Sequence, residues 1–244
     1  MSKVPALQRG LEIIQSAAGG NRTVTELESE LGIPKASFGR LLRCLTENGF
    51  VKIDRDTRKI TLGEDIIFKV MKAHESSAVY IETRNMLRRM AAQWLLTFVV
   101  HECVQPFTVY WRAKEVPLNG INTPATGHVM TALNICAQGQ LFLSQQPDSV
   151  IRDFFASGLI RKASEYTLTE ADRLMERFST IRSLGYAYQE KENNSLMKQL
   201  AVPLRLRGSS GNYCLTCYMP LDFSEVNALR DSMLFEAGRL TGVE

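Results

Sequence analysis

The stretch GIPKASFGRLLRCLTENGF, residues 32–50, decides how the first part of this chain folds. Phe38, Leu41, Leu42 and Leu45 recur at i, i+3, i+4 and i+7, which is one apolar stripe on one helix. Pro34 suits the first turn, where its missing N–H has no intrahelical acceptor, and Asn48-Gly49 ends the helix. The opposite face carries Lys35, Ala36, Ser37, Gly39, Arg40 and Arg43. Amphipathic helices with a basic face are common and usually just solvated, so the flanking sequence has to decide whether this face reads something.

Upstream, Thr23-Val24-Thr25-Glu26 has the form of a capping box, and Val24, Leu27 and Leu31 give the short helix it opens an inward side. Gly32-Ile33-Pro34 is the tight turn between the two helices. Further upstream, Leu7, Leu11 and Ile14 recur at helical spacing and predict a first helix with those residues inward, closed by Gly19-Gly20. Downstream, FVKIDRDTRKITL alternates as two short strands, 50–53 and 59–62, around a polar turn at 55–58. Helix, short helix, turn, helix and hairpin make a winged helix-turn-helix.

Charge agrees with that reading. The whole chain carries a net charge of only +3. Residues 32–60 hold Lys35, Arg40, Arg43, Lys52, Arg55, Arg58 and Lys59 against Glu47, Asp54 and Asp56, so the positive excess sits in this stretch. A DNA-reading helix presents polar side chains near its N-terminus while its other face is packed. Lys35 and Ser37 are placed for phosphates, and Arg40 and Arg43, one turn apart, for base edges, where bidentate arginine on guanine is the commonest specific contact. Small Ala36 and Gly39 permit close approach to the groove floor. Arg55, Arg58 and Lys59 on the hairpin are placed over an adjacent phosphate or minor groove. The expected partner is double-stranded operator DNA.

Composition narrows the rest. With 244 residues, 45% hydrophobic and 23% charged, the chain can bury a sizeable core. Its longest nearly uncharged apolar run, 94–100, is far shorter than the roughly 20 residues of a membrane span, and the first residues lack the uninterrupted apolar core of a signal peptide. A cytoplasmic, nucleoid-associated protein without membrane partners is expected. Cys44, Cys103, Cys136, Cys214 and Cys217 are expected to be free thiols, since their number is odd and their spacing irregular. Cys214 and Cys217 spell C-x-x-C, but in a strand a three-residue offset sends the side chains to opposite faces. His74, His101 and His128 lack the i, i+4 spacing of a helical zinc pair, and neither metal nor cofactor is expected.

The expected division is a winged helix-turn-helix domain at 1–64, a linker helix at 65–77 ending near Ser76-Ser77, and a third segment, 78–244, of α+β class with helices on a central antiparallel sheet. In that last part, helices are predicted at 79–94, 127–137, 148–157, 169–184 and 224–240, and strands at 97–104, 107–112, 200–206 and 213–219.

The segments ALQRGLEII and VTELESELGIPKASFGRLLRCLTENGFV, followed by a hairpin ending in LG, resemble the winged-helix domain of the IclR family of bacterial transcriptional regulators. TPATGHVMTA, IRSLGYAYQEKENNSLMKQLAVPL and CLTCYMP resemble, in order, the family's small-residue loop, acidic segment and last core strand. The resemblance covers about residues 4–240. It implies a one-component regulator with a GAF-like C-terminal domain that binds a small organic effector, in a homodimer or dimer of dimers.

Carried over position by position, it implies effector contacts at Ala125, Thr126, Gly127, Gln189, Gln199, Thr216 and Tyr218. Thr216 and Tyr218, two residues apart on a strand, share a face and can converge on one ligand. Gln189 stands where the family usually has an acid. A neutral, polar, partly aromatic pocket favours a small organic acid, aromatic acids included, with Arg112 the basic candidate.

Two other readings compete. In one, the C-terminal domain only oligomerises. In the other it is an enzyme, using His128 beside Thr126, or His101 beside Cys103, as base and nucleophile, although no third orienting group is identifiable for either pair. The regulator reading predicts no enzymatic activity and no catalytic residues.

Overall fold

The chain divides into two units, Met1–Ser77 and Ala78–Glu244, each built on its own apolar core. The computed structural model describes residues 4–20, 22–75, 78–105, 107–193 and 196–241; the expected helix end at Ser76-Ser77 and the side chain of His74 lie outside the described residues.

The first unit runs α1 (Pro5–Gly19), β1 (Arg22–Thr23), α2 (Val24–Leu31), α3 (Lys35–Glu47), β2 (Val51–Ile53), β3 (Lys59–Leu62) and α4 (Glu64–Glu75). The capping box at α2 is complete. Thr23 Oγ1 accepts from the Glu26 N–H at 3.3 Å, and the Glu26 carboxylate accepts from the Thr23 N–H at 2.8 Å. The Thr23 N–H and the Thr23 hydroxyl, which donates to the same carboxylate at 2.9 Å, hold the Glu26 carboxyl below the usual carboxylate range. Gly32, at φ 59°, ends α2 in the left-handed region that favours glycine. The Pro34 carbonyl then opens α3 by accepting from the N–H groups of Ser37 and Phe38 at 2.8 and 2.9 Å. Phe38 and Leu42 are buried with Leu27, Ile33, Val51 and Ile60, while Leu41 and Leu45 pack half-buried against them. The α3 stripe therefore points inward as predicted.

Two features of this unit differ from expectation. The hairpin gains a third strand, because Arg22 and Thr23 pair with Ile60 and Lys59 in the order β1-β3-β2. On α1 the buried face is Gly10, Ile13 and Ala17 with Ile14 half-buried, whereas Leu7 and Leu11 are exposed at 62% and 50%. Leu7, Leu11 and Ile14 match the helical period, but Gly10, Ile13, Ile14 and Ala17 match it equally. The period alone does not choose between the two sets, and the packing of the unit buries the second, with Ile13 and Ala17 in its core.

The second unit is a six-stranded antiparallel sheet in the order β6-β5-β4-β9-β8-β7 with helices on both faces, the α+β class expected. The strands are β4 (Thr97–Gln105), β5 (Thr108–Glu115), β6 (Val129–Met130), β7 (Ala187–Glu190), β8 (Met197–Leu204) and β9 (Asn212–Pro220). On one face, α5 (Ala78–Trp94) and α9 (Val226–Thr241) bury a core that includes Met86, Met90, Phe98, Val100, Leu215, Cys217 and Met233. On the other, α6 (Ala137–Ser144), α7 (Asp148–Ala156) and α8 (Ala171–Leu184) bury Leu141, Phe142, Phe154, Leu174, Phe178, Ala201 and Cys214. Cys214 and Cys217 thus lie on opposite faces, and all five cysteines are free.

The helix predicted at 127–137 does not form. Gly127 sits at φ 88°, Val129 and Met130 pair with Tyr110 and Val109 as β6, and a 3₁₀ turn at Leu133–Ile135 precedes α6. Every residue of α6 is buried, so it has no polar face and hence no helical period for sequence reading to detect.

Candidate functional site

Two polar surfaces stand out, one in each unit. In the first, Lys35, Ala36, Gly39, Arg40 and Arg43 are exposed on α3 and Ser37 is half-buried, while Arg55, Arg58 and Lys59 are exposed on the hairpin. The hairpin turn is held by the Asp54 carboxylate, which accepts from the Asp56 and Thr57 N–H groups at 3.1 and 2.7 Å and from the Thr57 hydroxyl at 2.7 Å. These bonds lower the Asp54 pKa. The Val24 N–H donates to the Arg58 carbonyl at 3.0 Å, tying the hairpin to the start of α2.

The pattern of ion pairing is informative. Arg22 and Lys52 pair with Glu30 and Glu64, each at 2.9 Å. Among the described residues no carboxylate pairs with Lys35, Arg40, Arg43, Arg55, Arg58 or Lys59, so these cations are left for an external anion.

The second surface is one face of the C-terminal sheet. Pairing aligns Thr97, Tyr218, Gln199 and Gln189 in one row, Val99, Thr216 and Ala201 in a second, and His101 and Cys214 in a third. Strand β5 joins through a bulge: Val100 opposes Ala113 and His101 opposes Trp111, leaving Arg112 as the extra residue. The bulge puts both Trp111 and Lys114 on the same face as His101 and Val99. Arg112 turns the other way, to Glu102, so it is not the basic group of this face.

Of the expected effector residues, Gln189, Gln199, Thr216 and Tyr218 are brought together on this face, all buried. His101, fully buried, receives Thr216 Oγ1 at 3.2 Å from Nδ1 and Tyr218 Oη at 3.4 Å from Nε2, and Gln138 Nε2 donates to Tyr218 Oη at 3.2 Å. Gln199 Oε1 accepts from the Ala137 N–H at the start of α6, and Gln189 Oε1 from the Glu192 N–H. Burial lowers the His101 pKa to about 3, so the imidazole is neutral at ordinary pH, and burial raises Tyr218.

Ala125, Thr126 and Gly127 are placed differently. They are exposed on the segment that crosses this face, not at a helix start, and the Gly127 N–H is already donated to the Trp111 carbonyl at 2.8 Å. That segment is tied down twice more: Thr97 Oγ1 donates to the Ile121 carbonyl at 2.7 Å and Lys114 Nζ to the Thr123 carbonyl at 2.8 Å.

Sequence reading missed Trp111, Lys114, Thr123 and Gln138, and weighed His101 only as a catalytic base. The Cys103 thiol is pushed up to about 11 by burial, and His101 is occupied by Thr216 and Tyr218. His128 stacks edge-on against Trp111 with ring centroids 4.8 Å apart. Neither candidate pair has the arrangement of base and activated nucleophile.

A helix-turn-helix whose cations no carboxylate pairs among the described residues, on a chain with a second α+β unit, points to the class of DNA-binding transcriptional regulators. Comparison with known proteins gives the family. The model of the IclR helix-turn-helix domain matches residues 6–55, and that of the bacterial transcriptional regulator IclR C-terminal domain matches residues 121–226. The chain belongs to the IclR family of transcriptional regulators.

It is 20% identical to the transcriptional repressor IclR of Escherichia coli, over 82% of this chain and 74% of that protein. An IclR transcriptional regulator from Alicyclobacillus acidocaldarius has the same fold, with a TM-score of 0.80 at 21% identity over 98% of each chain. An IclR homologue from Microbacterium hydrocarbonoxydans, complexed with 4-hydroxybenzoate, superposes with a TM-score of 0.77 at 14% identity over 95% of each chain. The relatives and both domains are those of regulators and not of enzymes. Among the described residues no helix is long and apolar enough to cross a membrane, and no cluster of three or more His, Cys, Asp or Glu residues is arranged to hold a metal.

Proposed function

We propose that this protein is a ligand-responsive transcriptional regulator whose effector, a small organic acid, binds the polar face of the C-terminal sheet. One observation carries the reading. Among the described residues Trp111 Nε1, Thr123 Oγ1, Gln138 Oε1 and Gln189 Nε2 are buried without a hydrogen-bond partner, and all four lie in this unit. An unsatisfied buried polar group costs about 1–3 kcal/mol, so four in one domain point to partners that a ligand or ordered water supplies. Gln189, Gln199, Thr216 and Tyr218 line that face, with Ala125, Thr126 and Gly127 on the segment above it.

At the other end, Lys35, Ser37, Arg40 and Arg43 on α3 engage operator DNA, with Ala36 and Gly39 allowing close approach. Arg55, Arg58 and Lys59 grip the backbone from the hairpin. The protein works as a homodimer or dimer of dimers in the cytoplasm, at the nucleoid. Exposed apolar residues on α1 (Leu7, Leu11) and α4 (Ile67, Phe68, Val70, Met71) support self-association. The effector changes the separation of two reading helices and with it their match to two half-sites.

The test is selection of binding sites from random duplex DNA by the purified chain, followed by a thermal-shift screen of small organic acids. A ligand at about 100 times its Kd adds about 2.7 kcal/mol of stability, and the hit should alter operator affinity. Loss of salt-sensitive, sequence-selective binding overturns the DNA reading; stability and operator affinity indifferent to every acid favour a domain that only oligomerises.

A further inference from the structure

The six-stranded sheet ends at β7, and a cleft lies along that edge, between α8 and α9. Ile181 and Leu184 of α8, Val226 of α9, and Tyr186 and Tyr188 give it largely apolar walls, and Arg177 and Arg230 are the charged residues that line it. None of the residues assigned to the effector lines it. Its volume is about 380 Å³, within the range of small-molecule pockets. At about 30 Å³ per water, a space of that size takes about a dozen water-sized groups.

Arg177 is the built part of this cleft. Its Nη1 donates to Glu192 Oε1 at 2.9 Å and to the Tyr188 carbonyl at 3.3 Å, and reaches Gln140 Oε1 at 3.5 Å. Glu192 is 4% exposed, so the guanidinium is anchored to a buried partner through one nitrogen. The edge formed by Nε and Nη2, whose two parallel N–H bonds take a carboxylate side-on, meets no acceptor among the described residues. A guanidinium held in place with that edge idle is already organised for an anion.

The rest of the lining says what the anion is attached to. No Asp or Glu lines the cleft, so no carboxylate of its walls repels a negative ligand. Arg230, paired with Asp231 at 2.8 Å, lies over the Tyr186 ring at 5.4 Å from its centroid and adds a second positive charge. Leu184 is 53% exposed at this place, an apolar side chain with little to cover it. Because Arg177 reaches over β7 to the Tyr188 carbonyl, the edge favours a small molecule over an added strand. We propose that this cleft is a second small-molecule site, for a carboxylate carried on an apolar body of about a dozen heavy atoms. The carboxylate lies on the Nε and Nη2 edge of Arg177, and the body lies against Leu184, Val226, Tyr186 and Tyr188. The proposal does not depend on the effector reading of the sheet face.

The test uses 6-bromo-2-naphthoate and its neutral amide, on the full chain. Titration calorimetry should show the acid binding about tenfold or more tighter than the amide, and the anomalous signal of bromine in co-crystals should fall in the cleft. Leu184→Glu sets a like charge at an exposed position of the wall and should weaken the acid about tenfold or more, with the thermal midpoint unmoved. Arg177→Lys keeps the charge but lacks the parallel edge, and should narrow the preference for acid over amide by about threefold or more. An amide that binds as well as the acid overturns the anionic site. A bromine signal found only elsewhere, the sheet face included, or no binding at millimolar probe, overturns the cleft as a site, and so does an acid affinity indifferent to Leu184→Glu. A signal at the sheet face alone would leave the effector reading standing while this proposal fell.

Discussion

The two polar faces of this protein differ in almost every physical respect. On α3 and the hairpin the groups are mostly charged and exposed, and among the described residues no carboxylate pairs with their cations. On the C-terminal sheet the groups are mostly neutral and buried, and most are tied to one another through His101, Tyr218 and Gln138. The first arrangement suits a polyanion met from solution, where attraction is long-ranged and salt-dependent. The second suits a small molecule read by hydrogen bonds in a place where a missing partner is costly.

The largest way to separate the two faces is to remove the packing under one. Phe38 is 2% exposed beneath the basic face of α3. Truncating a buried phenylalanine costs about 3–5 kcal/mol. Phe38→Ala should therefore unfold the N-terminal unit and abolish DNA binding, while the C-terminal unit, which shares no core residue with it, keeps its ligand-induced thermal shift. Chemical denaturation followed at Trp111 and Trp94, both in the second unit, checks this: their transition should stay where it is.

Acid discriminates next. The folded pKa of His101, about 3, lies below its unfolded value near 6.5, so between those limits the unfolded chain binds a proton that the folded chain refuses. Stability present above pH 6.5 is lost as pH falls, by about 1.4 kcal/mol per pH unit for this group. Between pH 6.5 and 4.5 the loss from this group should be about 2–3 kcal/mol. His101→Gln keeps hydrogen-bonding capacity toward Thr216 and Tyr218 without titrating, and should flatten the slope. A slope unchanged by the substitution would place its origin elsewhere.

The unequal legibility of the two faces has the same physical root as their chemistry. The helix α3 announces itself because its signals are local: a capping box four residues long just upstream, a Gly-x-Pro turn, and an apolar stripe within eight residues. The sheet face is assembled from β4, β5, β7, β8, β9 and the start of α6, over a hundred residues of chain, and only the Thr216–Tyr218 pair carries a local signal. Lys114 was hidden because strict alternation from Trp111 puts it on the other face, and only the bulge at Arg112 reverses that. Gln138 was hidden because α6 is buried all round. The α1 error has another origin, since two apolar sets satisfied one helical period and only the tertiary fold chose between them.

The smallest expected effect sharpens the comparison within the proposed DNA-binding surface itself. Arg40 is exposed on α3, with Ser37 Oγ a distant 3.5 Å from its guanidinium, while Lys59 is exposed beside the hairpin turn, opposite Thr23. If Arg40 reads a base edge, Arg40→Ala should cost about 1–3 kcal/mol on the preferred operator and relax preference at one position. If Lys59 meets only phosphate, Lys59→Ala should weaken all sequences alike and lower the slope of log K against log salt by about one, because one fewer counterion is released. Measuring both variants on operator and scrambled duplex across a salt series decides between them. Equal losses on the two duplexes for Arg40→Ala would demote it to a backbone contact, and α3 would then orient the protein on DNA by charge while Arg43 carried what base reading there is.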